Sequence, residues 1–403
     1  MNSTSKAFGI SPELRAGIFH FTVFGSTGVA SVYFGIWLSN RGISPDEIGV
    51  INALPVLVML FINTLVGRLA DRASDWRQVI VILALIAGAV PVGLFFANGF
   101  WGILLMWTLC MVPTFTLVPV IDAATLRMTR RRGSDFGLVR AWGTMGYMAA
   151  TATAGPVIGF FGEAAFVPLF VVWSVLRALM ALQLPLFRAP PGKATLATVA
   201  PRARRLREIL KPWFVLPLVG LGMHYSVHNV LSAFGGLIWK QEGISEDLIG
   251  PLTAVAAAAE AVMMFVWTKL RIKVAARYLI LFAALVAAGR WGVMAFNPPL
   301  IVLFALQLLH SITFALGYFG GVYFIANWTS DDIAAEAQGF SFLLQQGMSV
   351  IALIGFGWFM ALYGEKAWLA AAAFALVGAG LVVISLRLKP PGDEGGKLGG
   401  TAQ

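Results

Sequence analysis

Apolar stretches of about 20 residues recur along the whole chain, separated by short polar turns. A helix of this length crosses the ~30 Å hydrocarbon core of a bilayer. Composition agrees, because 59% of the 403 residues are hydrophobic and only 12% are charged, against roughly 45–50% and 25% in soluble domains. The sequence therefore predicts an all-α, multi-pass membrane protein. The predicted spans number twelve, near residues 16–38, 47–69, 78–97, 100–126, 137–160, 164–186, 213–239, 248–269, 275–295, 300–327, 336–360 and 365–386.

The net charge of +10 is distributed as membrane topology requires. If the N-terminus is cytoplasmic, cytoplasmic segments hold 23 of the 29 Lys and Arg residues. The others are Arg41, Lys240 and Lys366 in the opposite loops, and Arg140, Arg177 and Arg290 inside the spans. This asymmetry is the positive-inside pattern. We expect both termini in the cytoplasm, the inner membrane of a bacterium as the location, lipid as a partner, and no nucleic-acid partner.

Motifs for enzymatic or metal chemistry do not occur in the sequence. The single cysteine, Cys110, falls in the fourth predicted span, which excludes an intramolecular disulfide. The chain has no zinc-ligand spacing, Gly-rich phosphate loop or hydrolase signature. We therefore expect no catalytic activity, no cofactor and no metal.

A repeat divides the chain into two halves. RGISPDEIGV (41–50) returns as EGISEDLIGP (242–251), 201 residues later, and Asp135 and Gly146 have counterparts at the same offset in Glu336 and Gly347. Parallel repeats of six spans place substrate between them. The predicted domains are a first half (1–187), a basic cytoplasmic linker (188–211), a second half (212–388) and a disordered cytoplasmic tail (389–403), in a protein expected to be monomeric.

The repeated connector also contains helix-start signals. Ser44 is a predicted N-cap, Pro45 suits the first helical position, and Glu47 completes a capping box. In the second copy, Ser245 is the predicted cap, followed by two acidic residues that favour the positive end of a helix.

The loop after the second span, GRLADRASDWRQ, resembles the G-x-x-x-D-R signature of the major facilitator superfamily. Gly67, Asp71 and Arg72 occupy its key positions, although the usual basic ending is degraded and the second-half loop TKLRIKVAARY has lost the Gly and the acid. The stretches 135–147, 257–265 and 306–324 resemble the phenylpropionate permease group and the related nucleoside and oligosaccharide proton symporters. The resemblance implies two pseudo-symmetric six-helix halves, with the signature loop controlling conformational change.

Ionisable residues inside the spans are candidates for function, because a charge at the bilayer centre is costly. At ~1.5 Å per residue, His228, Glu260 and His310 each lie ~15–18 Å below the predicted outer end of their spans. Arg290 is shallower but within reach, and His224 shares a helix face with His228. An acid, an arginine and histidines at one depth suit proton exchange.

The resemblance points the same way. Oligosaccharide symporters have an acid, an arginine and a histidine in spans eight, nine and ten, and Glu260, Arg290 and His310 match that order. Those symporters have a further acid one turn after the histidine, where this chain has Thr313. We therefore predict that Glu260 is the proton site, with Arg290 and His310 as exchange partners. The alternative is a static ion-pair lock.

Candidate substrate contacts lie in both halves. Asp122 and Arg140 fall in neighbouring antiparallel spans, and Tyr147 lies two turns beyond Arg140. Their order resembles the sugar-binding trio of the oligosaccharide symporters; a structural salt bridge is the alternative. His224, His228 and Gln346 are the predicted contacts of the second half.

These observations predict a proton symporter that imports a small organic solute. Three arginines against two acids in the spans favour an anion such as an aromatic or other organic carboxylate. Nucleosides and sugars remain open, because an Asp–Arg pair suits hydroxyl recognition. A proton-driven exporter remains open because TAGPVIG (153–159) resembles part of the antiporter signature, and a non-transporting sensor is disfavoured by short loops.

Overall fold

The computed structural model describes residues 10–188, 210–270, 274–329 and 331–390, and within these ranges its regular structure is helical. The α-helices are α1 (Pro12–Asn40), α2 (Pro45–Arg72), α3 (Trp76–Ala89), α4 (Gly99–Arg132), α5 (Phe136–Phe161), α6 (Phe166–Leu182), α7 (Pro212–Gln241), α8 (Glu246–Leu270), α9 (Ala276–Met294), α10 (Leu300–Leu308), α11 (Gly317–Trp328), α12 (Asp331–Tyr363) and α13 (Trp368–Leu388). A π-helical segment, Ser311–Leu316, joins α10 to α11, and 3₁₀ turns occupy Val90–Phe95, Glu163–Ala165 and Gly364–Ala367.

Ten stretches of the described ranges are long and apolar enough to cross a membrane. Helix α5 is not among them, whereas α12 and α13 fall together in one stretch of 53 residues, Glu336–Leu388. The predicted multi-pass helical fold is confirmed, and the count of twelve spans stays a prediction. Residues 189–209 of the predicted linker and 391–403 of the predicted tail lie outside the described residues.

Contacts divide the chain into two compact units, and the division passes through α1 and α2. The first unit contains the described residues up to Ser31 and from Phe61 to Arg188. The second contains Val32–Leu60 and the described residues from Leu210 onward. The sequence places residues 32–60 in the first half, whereas their contacts are made with the second unit.

In the first unit, α3 packs against α4 and α6, and Arg177 of α6 holds the interior together. Its side chain is 1% exposed. Nη1 donates to Ser26 Oγ at 3.0 Å and to Thr114 Oγ1 at 3.1 Å, and Nη2 donates to the Ala87 carbonyl at 2.6 Å. A buried charge is tolerated when hydrogen bonds satisfy it, so this arginine joins four helices.

In the second unit, α7 packs against α12 and α13, and the outer part of α1 lies directly on α7. A Cβ atom at Gly35 would lie 2.4 Å from the Ala233 carbonyl oxygen, and one at Gly236 would lie 2.2 Å from that of Val32. Since 201 residues separate Gly35 from Gly236 and Val32 from Ala233, the contact follows the sequence repeat. Only glycine permits this approach.

The turns that follow α1 and α7 show why the connector recurs. Gly42 and Gly243 have φ angles of 76° and 87°, in the left-handed region that favours glycine. In both turns the backbone N–H of the isoleucine after the glycine donates to the carbonyl of the residue five positions earlier, as in a Schellman motif. These bonds are Ile43 N–H to the Leu38 carbonyl (3.2 Å) and Ile244 N–H to the Trp239 carbonyl (2.9 Å).

The predicted start of α2 is confirmed, since the helix begins at Pro45. Ser44 N–H donates to Glu47 Oε2 at 2.9 Å, which is one arm of a capping box. The Ser44 hydroxyl also donates to Glu47 Oε2, at 3.1 Å. The carboxylate of Glu47 is therefore the group that closes this helix end.

Candidate functional site

The second unit contains a cluster of polar side chains between otherwise apolar helices, which we call the histidine cluster. Its members are Glu260 of α8, Arg290 of α9, Gln307 of α10, His310 and Thr313 beyond it, and His224 and His228 of α7. The predicted site residues of this half therefore lie together, apart from Gln346.

Glu260 and His310 form the acidic contact of the cluster. His310 Nε2 lies 3.4 Å from Glu260 Oε2, and the two side chains are 14% and 22% exposed. The π-helical segment begins one residue after His310. Such local widening of a helix often marks functional sites.

Arg290 is the buried cation of the cluster, with 1% exposure. Nη2 donates to Gln307 Oε1 at 2.7 Å, and Nη1 donates to Thr313 Oγ1 at 3.1 Å. Nη1 also lies 3.5 Å from His310 Nδ1, and the guanidinium carbon is 4.5 Å from the centre of the Trp291 ring. Neutral acceptors thus surround the charge, as burial requires.

The histidines of α7 extend the cluster. His228 Nε2 lies 3.0 Å from Thr313 Oγ1, and its ring centre is 5.0 Å from that of His310. His224, fully buried one turn away, has its ring centre 5.3 Å from that of His228. Three imidazoles therefore form a row between α7 and the segment after α10.

The Arg290 guanidinium fixes the tautomer of one ring. Arginine can only donate, so His310 Nδ1, which faces Arg290, presents its lone pair. The proton of neutral His310 is then on Nε2, directed at Glu260. The Thr313 hydroxyl accepts from Arg290 and contacts His228 Nε2, so it links the cation to the second ring.

Gln307 and Thr313 are polar residues of the cluster that are not among the predicted site residues. Thr313 stands where the oligosaccharide symporters have an acid, and in the structure it connects Arg290 to His228. Gln307 is fully buried and binds Arg290. An uncharged polar residue inside an apolar span, one turn before His310, is the signal that could have identified Gln307.

The first unit brings Asp122 and Arg140 together. Arg140 Nε lies 3.3 Å from Asp122 Oδ1, and each side chain is about one-third exposed (30% and 32%). The Arg140 guanidinium carbon also lies 4.0 Å from the centre of the Phe24 ring. His20, fully buried, approaches Asp122 at 3.8 Å. The predicted pair is therefore an accessible charge pair with an aromatic face beside it.

Tyr147 and Gln346, the other predicted substrate contacts, lie elsewhere. The Tyr147 hydroxyl lies 2.8 Å from Ser31 Oγ of α1. Gln346 is half-buried in α12, where its neighbour Gln345 donates to Ser341 Oγ at 3.1 Å. Their roles in binding stay predictions.

The signature loop contains a buried acid that the motif does not include. Asp71 and Arg72 are exposed, and a Cβ atom at Gly67 would have no described atom within 4 Å. Asp75 is 7% exposed instead. It caps α3 by accepting from Arg77 N–H at 2.8 Å, and its Oδ2 accepts from Phe187 N–H at 3.0 Å. Asp75 therefore ties α3 to the segment after α6.

Within the described ranges, no group of three or more His, Cys, Asp or Glu side chains could hold a metal ion. The expected lack of a cofactor stays a prediction.

The sequence and the fold of this chain are similar to those of known proteins. A sequence model of the MFS_1 like family matches residues 14–384. The probable 3-phenylpropionic acid transporter of Escherichia coli (strain K12) is 26% identical over 313 residues, which cover 76% of this chain and 80% of that protein. The maltose permease of Geobacillus stearothermophilus is 27% identical over 288 residues, covering 70% and 71%. The solved nucleoside transporter NupG has a TM-score of 0.78 at 16% identity, covering 94% of this chain and all of that one.

Proposed function

The chain belongs to the MFS_1 like family, and from this membership we propose a proton-coupled secondary active transporter that imports a small organic solute. The matched relatives are transporters and permeases rather than enzymes. In our proposal the chain crosses the bacterial inner membrane twelve times, with both termini cytoplasmic, and works as a monomer by alternating access. Substrate binds between the two six-helix halves.

The Glu260–His310 contact, with Arg290 on the opposite side of the ring, supports proton coupling. His310 Nε2–H already donates to the Glu260 carboxylate. A second proton on the ring would have to occupy Nδ1, where it would face the donors and charge of Arg290. The incoming proton therefore goes to Glu260.

Protonation of Glu260 changes the contact between α8 and the segment after α10. Protonation removes the negative charge of Glu260, so the charge-assisted hydrogen bond from neutral His310 Nε2–H becomes a weaker bond to an uncharged carboxyl group. The contact at 3.4 Å weakens, and the two elements can separate. In this mechanism, proton binding permits the loaded carrier to change the side to which it opens, and proton release restores the contact.

The driving force is sufficient for uptake without ATP. One charge that moves through ~100 mV supplies ~2.3 kcal/mol, which supports a gradient of about 40-fold. Arg290, fully buried among neutral acceptors, stays charged in both steps and keeps the ring of His310 oriented.

For the substrate we propose an organic carboxylate, in particular an aromatic one. The Asp122–Arg140 pair, about one-third exposed, offers a cation that an anionic group can reach. The similarity to a probable 3-phenylpropionic acid transporter supports the same class. Tyr147, His228, His224 and Gln346 are the further proposed contacts. The loop of Gly67, Asp71 and Arg72 is proposed to act in conformational change.

Nucleosides and sugars form the second candidate class. The maltose permease and the nucleoside transporter are relatives in sequence and in fold, respectively, and Asp122 with Arg140 can bind hydroxyl groups as well as anions. An exporter of the same fold would use the same proton site in the opposite direction.

The test is uptake into proteoliposomes under an imposed proton gradient, with labelled 3-phenylpropionate, uridine and maltose. We expect accumulation of 3-phenylpropionate that a protonophore abolishes. Glu260→Gln should lose gradient-driven accumulation and keep counterflow exchange, whereas Glu336→Gln, a change at an exposed carboxylate of α12, should behave as the parent. Equal accumulation by Glu260→Gln and parent would refute the proton site, and movement of substrate only outward would establish the exporter.

A further inference from the structure

A cavity of 140 Å³ lies in the second unit between α7, α11 and α12, at a place that the proposed proton site does not use. Its walls include Leu221, Tyr225, Tyr318, Gln338, Ser341 and Gln345. Ser341 and Leu221 are each 2% exposed, so this part of the wall belongs to the protein interior.

The volume of the cavity indicates the size of the chemical group that it can hold. An engineered cavity of about 150 Å³ binds benzene. A cavity of 140 Å³ therefore has room for about one six-membered ring. Two fused rings or a disaccharide would extend beyond this volume.

The lining is mostly apolar and aromatic, with a few uncharged polar side chains. No Asp, Glu, Lys, Arg or His side chain lies among the described residues that form the wall. The rings of Tyr225 and Tyr318 offer faces for stacking. An ionised group would lose its hydration here without a counter-ion, which is costly, so the charge of a ligand must stay outside.

Three side chains of the wall have hydrogen-bonding groups for a substituent on the ring. Gln345 Nε2 donates to Ser341 Oγ at 3.1 Å, so both side chains retain further hydrogen-bonding capacity. Tyr225 donates its hydroxyl proton to the Phe314 carbonyl at 3.0 Å and keeps lone pairs as acceptors. These few groups suit one polar substituent. A sugar would bury several hydroxyls without partners, at about 1–3 kcal/mol each.

Tyr225 connects this cavity to the histidine cluster. Its ring centre lies 5.9 Å from that of His224 and 6.0 Å from that of His228. A ring in the cavity would press on the same tyrosine that packs against both histidines. Occupation of the cavity can therefore be sensed by the cluster through one side chain.

We propose that this cavity is the ring-binding subsite of the transported molecule, and that the substrate class is an aromatic or heteroaromatic ring with a polar substituent. The inference rests on the proposed function in one respect only, namely that the ligand is cargo. Recognition of the ring by the cavity is independent of protons.

The experiment measures binding to the purified full chain in detergent by isothermal titration calorimetry, where no gradient exists. The probes are 3-phenylpropionate, its non-planar analogue 3-cyclohexylpropionate, uridine and maltose. Ser341→Leu places a larger apolar side chain in the cavity. Gly339→Ala, two residues away on α12, is the matched control, because a Cβ atom there would have no described atom within 4 Å.

We expect 3-phenylpropionate or uridine to bind, Ser341→Leu to raise that Kd at least tenfold, and Gly339→Ala to leave it unchanged. We also expect 3-cyclohexylpropionate to bind at least tenfold more weakly than its planar counterpart. Any one of four results would overturn the subsite. They are an unchanged Kd in Ser341→Leu, equal binding of the two propionates, maltose binding that Ser341→Leu abolishes, and no binding of either ring probe.

A second variant covers the case in which Ser341→Leu does not fold. Leu221→Ala enlarges the cavity, so the affinity for 3-(2-naphthyl)propionate should rise relative to that for 3-phenylpropionate by about tenfold. An unchanged ratio would contradict the assignment. If the ring probes bind as expected but are not accumulated under a proton gradient, the proposed function is wrong and the cavity remains a ring-binding site. If a substrate is accumulated under the gradient but the binding results fail, only the subsite is wrong.

Discussion

Arg290 donates a hydrogen bond to the Thr313 hydroxyl at 3.1 Å, and the same hydroxyl oxygen lies 3.0 Å from His228 Nε2. A single hydroxyl thus connects a buried cation on α9 to a histidine on α7. Its loss leaves both partners buried with an unsatisfied polar atom.

Thr313→Val should therefore lower gradient-driven uptake by about tenfold, because losing a hydrogen bond to a charged group costs roughly 1.5–3 kcal/mol. Thr313→Ser keeps the hydroxyl and should retain most of the activity. Initial rates in proteoliposomes, normalised to protein incorporated, provide the measurement. Equal rates for the Val and Ser variants would show that the hydroxyl has no part in transport.

Asp75→Ala should destabilise the protein, because the carboxylate accepts backbone N–H groups from Arg77, Phe187 and Arg188. Loss of a cap and of buried acceptors amounts to roughly 2–4 kcal/mol. We expect a melting temperature several degrees lower in detergent. Asp71→Ala, a change at the exposed acid of the same loop, is the control, and an equal decrease in both variants would contradict the assignment.

Gly236→Ala should destabilise the contact between α1 and α7, since the new methyl group would lie 2.2 Å from the Val32 carbonyl oxygen and the backbone must move. Gly289→Ala in α9 meets no described atom within 4 Å and should stabilise its helix by up to about 1 kcal/mol. Thermal unfolding of the two variants should shift in opposite directions. A shift of the same sign in both would argue against the close approach.

The stability of the protein should depend on Glu242, which lies in the turn after α7. Burial and the nearby Glu365 raise the pKa of Glu242 from 4.5 to about 7. A raised folded-state pKa contributes stability that is complete below pH 4.5 and is lost as the pH rises through 7. The parent should therefore be less stable at pH 8 than at pH 5.

Glu242→Gln removes this dependence. At pH 8 we expect its melting temperature to exceed that of the parent by roughly 2 °C, a shift that about 1 kcal/mol produces in a large domain, after solvent screening of a half-buried group. At pH 4, below the unfolded-state pKa of 4.5, the difference should nearly disappear. Asp46→Asn in the matching turn serves as control, and an identical pH profile in Glu242→Gln and parent would exclude the effect.

Depth along the membrane could be predicted from the sequence, because residue number fixes the rise along a helix. By this measure Glu260 and His310 lie at one level, and in the structure their side chains are 3.4 Å apart. Local turn chemistry was equally accessible, since Pro45 and Gly42 have strong backbone preferences.

Rotation about each helix axis could not be predicted in the same way, because it depends on packing between helices that are apolar on most faces. This is why Thr313 and Gln307 were not recognised as partners of Arg290. The motif comparison selected Asp71, whereas burial selects Asp75, whose partners Phe187 and Arg188 lie more than a hundred residues away. The cavity beside Tyr225 is formed by three helices and has no signature in any one of them.

The paired approach of Gly35 to Ala233 and of Gly236 to Val32 has the form of an isologous interface, in which one patch meets its own copy. The two patches are the same positions of a repeated sequence, so each half carries both sides of the contact. The contact is therefore reciprocal: each repeat presents its glycine to a backbone carbonyl oxygen of the other.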